Sequence, residues 1–270
     1  MSSNILKIVN LKKSYHRANN IENSKINILD NLNAFIPKNK ITALIGGNGA
    51  GKTTLFNIIS LLIEADHGEI IFDDNDNVNI LNKNNYELKK MGIGRMFQDN
   101  HIFQNMTVMD NMLIADNSEW GEFPFVTILK NKKHENIEQK RKKKVRNIFS
   151  ELFGKDNAFW NHRNKLAGEL SYGQQRLLGL ARLFMSDYKL VLLDEPTSGV
   201  DPRNIDSIES VIRKLKKDKN TSVFMIEHNM DFVKKIADWC LLLNDGKINF
   251  PSTTEDFFGN YKVRDKYLGF

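Results

Sequence analysis

Ile41-Thr42-Ala43-Leu44-Ile45 runs directly into Gly46-Gly47-Asn48-Gly49-Ala50-Gly51-Lys52-Thr53. No other feature of the chain narrows the fold so far. The first stretch reads as a strand buried on both faces, which belongs in a mainly parallel sheet covered by helices. The second fits G-x-x-x-x-G-K-[ST], and a helix is predicted over 51–63, with Leu55, Ile58, Ile59 and Leu62 on one face. Glycines let the backbone curl until several N–H groups converge, and the start of the helix adds partial positive charge. Such a loop cradles phosphate, with Lys52 placed to reach the β- and γ-phosphates of a nucleotide and Thr53 to ligate Mg²⁺.

Strand-like blocks recur at 32–36, 68–72, 190–193, 222–226 and 240–243, with helical patterns such as 205–215 between them. That alternation predicts an α/β core. Residues 99–168 differ in texture. They carry Met106, Met109 and Met112 in a helical pattern and the basic run Lys140-Arg141-Lys142-Lys143-Lys144, and they read as an inserted helical lobe. The run is expected to be the solvated face of a helix beside a packed loop at 123–129, with contact to anionic lipid headgroups as the competing reading. Asp245-Gly246 is a hairpin turn signal between Leu243 and Ile248. Ser252 with Glu255 predicts a capping box opening a short final helix.

The net charge of +6 is read as the bias of an Asn- and Lys-rich chain, so no nucleic-acid partner is expected. The single cysteine, Cys240, excludes an internal disulfide framework and a cysteine zinc cluster; its apolar surroundings predict a buried, inert thiol. No stretch has the roughly 18 consecutive apolar residues of a membrane span. Met1-Ser2-Ser3-Asn4 lacks the basic and apolar regions of a secretory signal. A soluble, cytoplasmic chain is expected, meeting the membrane only through a partner.

Two further motifs carry chemistry. Leu190-Val191-Leu192-Leu193 ends in Asp194-Glu195, paired carboxylates at a strand end that are costly without a cation nearby. Asp194 is placed to hold Mg²⁺ and Glu195 to orient or deprotonate an attacking water. In Leu170-Ser171-Tyr172-Gly173-Gln174-Gln175-Arg176, a Ser and a Gly open a helix and make a site for a phosphate arriving from outside. That points to a nucleotide clamped between two subunits.

Joined in this order with Gln98, Pro196, Ser198-Gly199-Val200-Asp201 and His228, the motifs resemble the nucleotide-binding subunits of ATP-binding cassette (ABC) transporters over nearly the whole chain. The resemblance implies a phosphate-loop NTPase core with an antiparallel β subdomain and a helical subdomain. It implies a core at 1–98 and 169–250, a helical subdomain at 99–168 and a C-terminal extension at 251–270. Glu195, His228 and Gln98 would be catalytic, and Thr53, Gln98 and Asp194 would hold the metal. ATP would meet residues 46–54, Thr54 included, with Tyr15 against the adenine ring. Ser171, Gly173, Gln174 and Asp201 would serve the opposite subunit's nucleotide and the dimer interface. Tyr15 as a plain strand-edge tyrosine and Asp201 as a helix cap compete with those roles.

Finer features resemble the ATPases of branched-chain amino-acid importers: Tyr172 in place of the commoner Gly, Arg95-Met96-Phe97-Gln98, Glu227-His228-Asn229-Met230 and Tyr267-Leu268-Gly269. Gly47, where most members have Pro, and the acidic Asp201 depart from that group. The implied partners are a second ATPase subunit, identical or paralogous, membrane permease subunits and a solute-binding protein. Residues 103–112 are expected either to line a groove for the permease or to form ordinary lobe core. An exporter of lipopolysaccharide type and a non-transport ABC ATPase are the competing readings.

Overall fold

The computed structural model describes residues 3–16, 25–72, 77–98, 102–116 and 132–263. The packed loop at 123–129 and Tyr267-Leu268-Gly269 lie outside the described residues. By chain contacts the molecule divides into two compact units. The first comprises Met1–Arg95, Lys189–Pro196 and Lys216–Phe270; the second comprises Met96–Tyr188 and Thr197–Leu215. The second unit thus takes in the helix after Ser171 and a segment following Pro196, a wider span than 99–168.

The strands are β1 (Asn4–His16), β2 (Lys25–Pro37), β3 (Ile41–Ile45), β4 (His67–Phe72) and β5 (Val78–Asn79). They continue with β6 (Ile93–Met96), β7 (Leu190–Asp194), β8 (Ser222–Ile226), β9 (Trp239–Asn244) and β10 (Lys247–Thr253). β2-β1-β4-β5 make an antiparallel four-stranded sheet. The other sheet has the order β10-β9-β3-β8-β7-β6, with β3 parallel to both β8 and β9 and β7 parallel to β8. Every residue of β3, β7 and β8 is buried, as central parallel strands require. The helix α1 (Lys52–Ile59) follows β3 and buries Leu55, Phe56, Ile58 and Ile59; Phe56 and Phe224 pack with ring centroids 4.9 Å apart.

α1 ends four residues short of the predicted helix, which corrects the placement of Leu62. Leu61 adopts φ +55, the left-handed conformation usually taken by glycine at a helix end. Its N–H donates to Ile58 O at 3.0 Å and that of Leu62 to Asn57 O at 2.9 Å, closing the helix and leaving Leu62 exposed. The hairpin forms as expected, with Leu243 opposite Ile248 and Asp245 and Gly246 both at positive φ. The final cap is one residue later than predicted. Ser252 and Thr253 still pair with β9, so Thr253 caps the next helix by accepting from Asp256 N–H at 3.2 Å.

Cys240 is buried in β9, and burial pushes its thiol up to about 11. The folded chain should therefore resist a thiol-specific chromogenic reagent at pH 8 and react fully once unfolded; rapid labelling without denaturant would contradict this.

The first unit also holds α2 (Asn85–Met91), opened by a capping box of Asn84 and Glu87. In the second unit, α3 (Val108–Ile114) starts at a capping box of Thr107 and Asp110. Asn111, fully buried, ties down the preceding loop: its Nδ2 donates to Phe103 O at 2.9 Å and Thr107 O at 3.0 Å. Met109 and Met112 are core, whereas Phe103 and Met106 remain exposed. α4 (Lys132–Phe153) turns Val145, Ile148, Phe149 and Leu152 inward and leaves Lys140, Lys142 and Lys143 exposed. The basic run is therefore a solvated helix face. Arg141 and Lys144 of that run pair with Asp116 at 3.0 and 3.3 Å. α5 (Ala158–Asn161) packs Phe159 against Phe149 and Phe153, and α6 (Tyr172–Arg182) follows the Ser171 cap. α7 (Pro202–Lys219) comes after β7.

Candidate functional site

The loop at 46–53 leaves the carboxyl end of β3, and residues 47–49 are exposed. A Cβ on Gly46 would sit 2.3 Å from Leu243 O, so only glycine lets the chain pass β9 there. Gly49 and Gly51 hold φ +76 and +100, which side chains on those residues would strain. Lys52, only 7% exposed, donates from Nζ to Gly46 O at 2.8 Å and Gly47 O at 2.9 Å. Burial lowers its pKa from the ordinary lysine range, while the carboxylates of Glu195 and Asp194 pull it back up. Thr53 is exposed and Thr54 half-buried at the start of α1.

β7 and β8 run parallel to β3, so their carboxyl ends lie on the same edge of the sheet as the loop. Asp194, the buried last residue of β7, accepts from Arg95 Nη2 at 3.0 Å. Glu195 turns the chain out of the strand at φ +47, held there by its N–H donating to Ile226 O at 3.0 Å. Left-handed backbone at a non-glycine residue costs energy that its surroundings must supply. The turn aims the half-exposed Glu195 side chain so that Oε1 lies 3.4 Å from Nε2 of exposed His228. Glu227, buried beside it, accepts from the N–H groups of His228 and Asn229 at 2.9 and 3.0 Å and so fixes the segment that carries the imidazole. Tyr15 stands 41% exposed near the end of β1, paired with Ile26.

The remaining residues belong to the second unit. Ser171 caps α6: its Oγ accepts from Gln174 N–H at 3.4 Å, and Gln174 Oε1 accepts from Ser171 N–H at 3.0 Å. Gly173 is buried, and a Cβ there would meet Asn204 Nδ2 at 3.0 Å. Tyr172 lies against Gly199, which holds φ +68 and where a Cβ would come 3.1 Å from the ring. Asp201 caps the chain before α7 through Arg203 N–H at 2.9 Å. The Arg203 guanidinium also binds it and holds its carboxyl down at about 2. Gln98 is exposed, while its carbonyl accepts from Arg176 Nη1 at 2.6 Å. Arg176, fully buried, also donates to Phe97 O at 3.1 Å and so clamps the segment bearing Gln98.

Arg95, Arg176 and Glu227 stand inside motifs noted in the sequence, but no role was expected of them there. Each had a local signal, a charged residue within or beside an apolar run. The donors present fit a magnesium ion that takes most of its oxygens from phosphates and water: one hydroxyl, one buried carboxylate and an open loop. No group of three or more His, Cys, Asp or Glu among the described residues is placed to hold a metal alone.

A family model described as ABC transporter matches residues 29–198. This chain belongs to the ABC transporter family. It is an ABC ATPase, the ATP-binding subunit of an ABC transporter. Its relatives include the high-affinity branched-chain amino acid transport ATP-binding protein BraF of Pseudomonas aeruginosa, 30% identical over 89% of this chain and 91% of that protein. The probable branched-chain amino acid transport ATP-binding protein LivG of Archaeoglobus fulgidus is 34% identical over 89% of each. A nucleotide-free ATP-binding cassette from an ABC transporter has the same fold, with TM-score 0.76, 29% identity and 97% of both chains covered. The α/β architecture of an ABC ATPase, with one mainly parallel and one antiparallel sheet, is thus as expected. No helix among the described residues of this ABC ATPase is long and apolar enough to cross a membrane.

Proposed function

We infer that two ATPase subunits of this kind, identical or paralogous, close on ATP and drive a membrane permease for the uptake of branched-chain amino acids or a related small solute. The observation that carries the catalytic part is the gathering of Lys52, Asp194, Glu195 and His228 at one edge of the parallel sheet. In this reading residues 46–54 bind the phosphates through backbone N–H groups and Lys52, and Tyr15 stacks on adenine. Thr53, Asp194 and Gln98 would hold Mg²⁺, which would neutralise charge at the phosphates. Glu195 takes the proton of the attacking water, and His228 donates to the γ-phosphate and steadies that water. Ser171, Gly173 and Gln174 offer the start of α6 to the partner subunit's nucleotide, and Asp201 lies at the subunit interface. Phosphate release reopens the pair, and the second unit, 99–168 included, passes the movement to the permease at the cytoplasmic membrane face.

The named activities of the relatives support the substrate class. A second reading rests on the methionine import ATP-binding protein MetN 2 of Acinetobacter baylyi, 30% identical over 95% of this chain and 68% of that protein. Uptake of labelled leucine by vesicles carrying the intact complex separates the two. Competition by isoleucine and valine but not methionine is expected. Methionine uptake instead would favour the second reading, and no amino-acid uptake at all would reject an amino acid as the solute in either.

A further inference from the structure

Arg95 is the one charged residue of β6, and its guanidinium is held on several sides. Nη2 donates to Asp194 Oδ2 at 3.0 Å, while Nη1 donates to Asn57 Oδ1 at 2.8 Å and Ser60 Oγ at 3.1 Å. The guanidinium carbon also lies 5.7 Å from the centroid of the Phe56 ring. Phe56, Asn57 and Ser60 form the closing end of α1, the helix that opens at Lys52. The Arg95 and Asp194 side chains are only 7% and 5% exposed. Charges so far from water interact more strongly than a surface pair, and neither can swing out to be solvated cheaply. One oxygen of the Asp194 carboxylate is therefore committed to a cation that α1 anchors in turn.

We propose that Arg95 is a positioning residue that fixes the direction of the Asp194 carboxylate and holds down the affinity of the site for a divalent cation. The proposal rests on the reading of Asp194 as the metal-side carboxylate. A guanidinium touching a carboxylate repels any ion that approaches the same carboxylate and cancels part of its attraction. The planar fork of arginine can serve Asp194 and α1 together, whereas lysine supplies the charge from a single point. Arg95 thus sets metal affinity against carboxylate order, and removing it should change the two in opposite senses.

The test is a titration of Mn²⁺, a paramagnetic substitute for Mg²⁺, into the full chain with ADP, read from the free-ion electron paramagnetic resonance signal. Arg95→Met and Arg95→Gln both remove the charge, and Gln keeps a neutral donor for cases where Met impairs folding. Either should bind Mn²⁺ at least about tenfold more tightly than wild type and turn ATP over more slowly, with Arg95→Lys close to wild type in metal affinity. Unchanged or weaker Mn²⁺ binding in both charge-removing variants, with wild-type circular dichroism, would overturn the proposal, and so would tighter binding with undiminished turnover. Asp194→Asn separates the two levels. If it binds Mn²⁺ like wild type, Asp194 is not the metal-side carboxylate and both readings fall. If it loses the ion while the Arg95 variants do not tighten, the role of Arg95 alone falls.

Discussion

Glu195→Gln should bind ATP as wild type does and hydrolyse it about 10²–10⁴-fold more slowly, the range set by losing a general base. The substitution keeps shape and changes one property. An amide at 195 still fits the backbone turn at φ +47 and still reaches His228, whose Nε2 lies 3.4 Å from Oε1, but it cannot accept the proton of an attacking water. With chemistry blocked and binding intact, the closed pair should accumulate. Size-exclusion chromatography in Mg-ATP should show a dimer for the variant and a monomer or rapidly exchanging mixture for wild type. Wild-type hydrolysis by Glu195→Gln would remove Glu195 from the base role, and slow turnover without a dimer would count against a shared site.

Lys52→Ala acts one step earlier. The Nζ that would meet phosphate also bonds Gly46 O and Gly47 O, so the side chain shapes the loop as well as charging it. A hydrogen bond to a charged group contributes about 1.5–3 kcal/mol, which corresponds to a loss of about 10–150-fold in nucleotide affinity. Calorimetric titration with Mg-ADP reads that loss directly. The fold should survive, because the ammonium is desolvated in place and the buried Asp194 carboxylate beside it keeps its ion pair with Arg95. Nucleotide affinity within twofold of wild type would show that the backbone N–H groups suffice and that Lys52 is not needed for binding.

What was legible in the sequence was local. The phosphate loop, Asp194-Glu195 at the end of its strand and the Asp245-Gly246 turn each declare themselves within a few residues, because glycine conformation, strand burial and turn chemistry are short-range properties. The α6 cap at Ser171 belongs with them. Arg95 and Arg176 do not. Arg95 takes its meaning from Asn57 and Asp194, 38 and 99 positions away, and Arg176 from the Gln98 carbonyl, 78 positions away. Only the sheet and the packing of α6 bring those groups together. The two local misplacements have different origins, one local and one tertiary. Leu61 takes a left-handed turn that a glycine would have advertised, and pairing with β9 carries the chain past Ser252 before a helix can begin.

Tyr172 and Gly199 occupy a single fitted space, and that gives substitution at the two positions a direction in time. A methyl group added at 199 first would press on the ring at 3.1 Å and also meet the φ of +68. Shrinking 172 to glycine first removes the pressure and leaves only the backbone demand, which Asn or Asp can meet. Substitution at 199 is therefore better tolerated after Tyr172→Gly than before it, and the cost of changing both positions depends on the order in which they change.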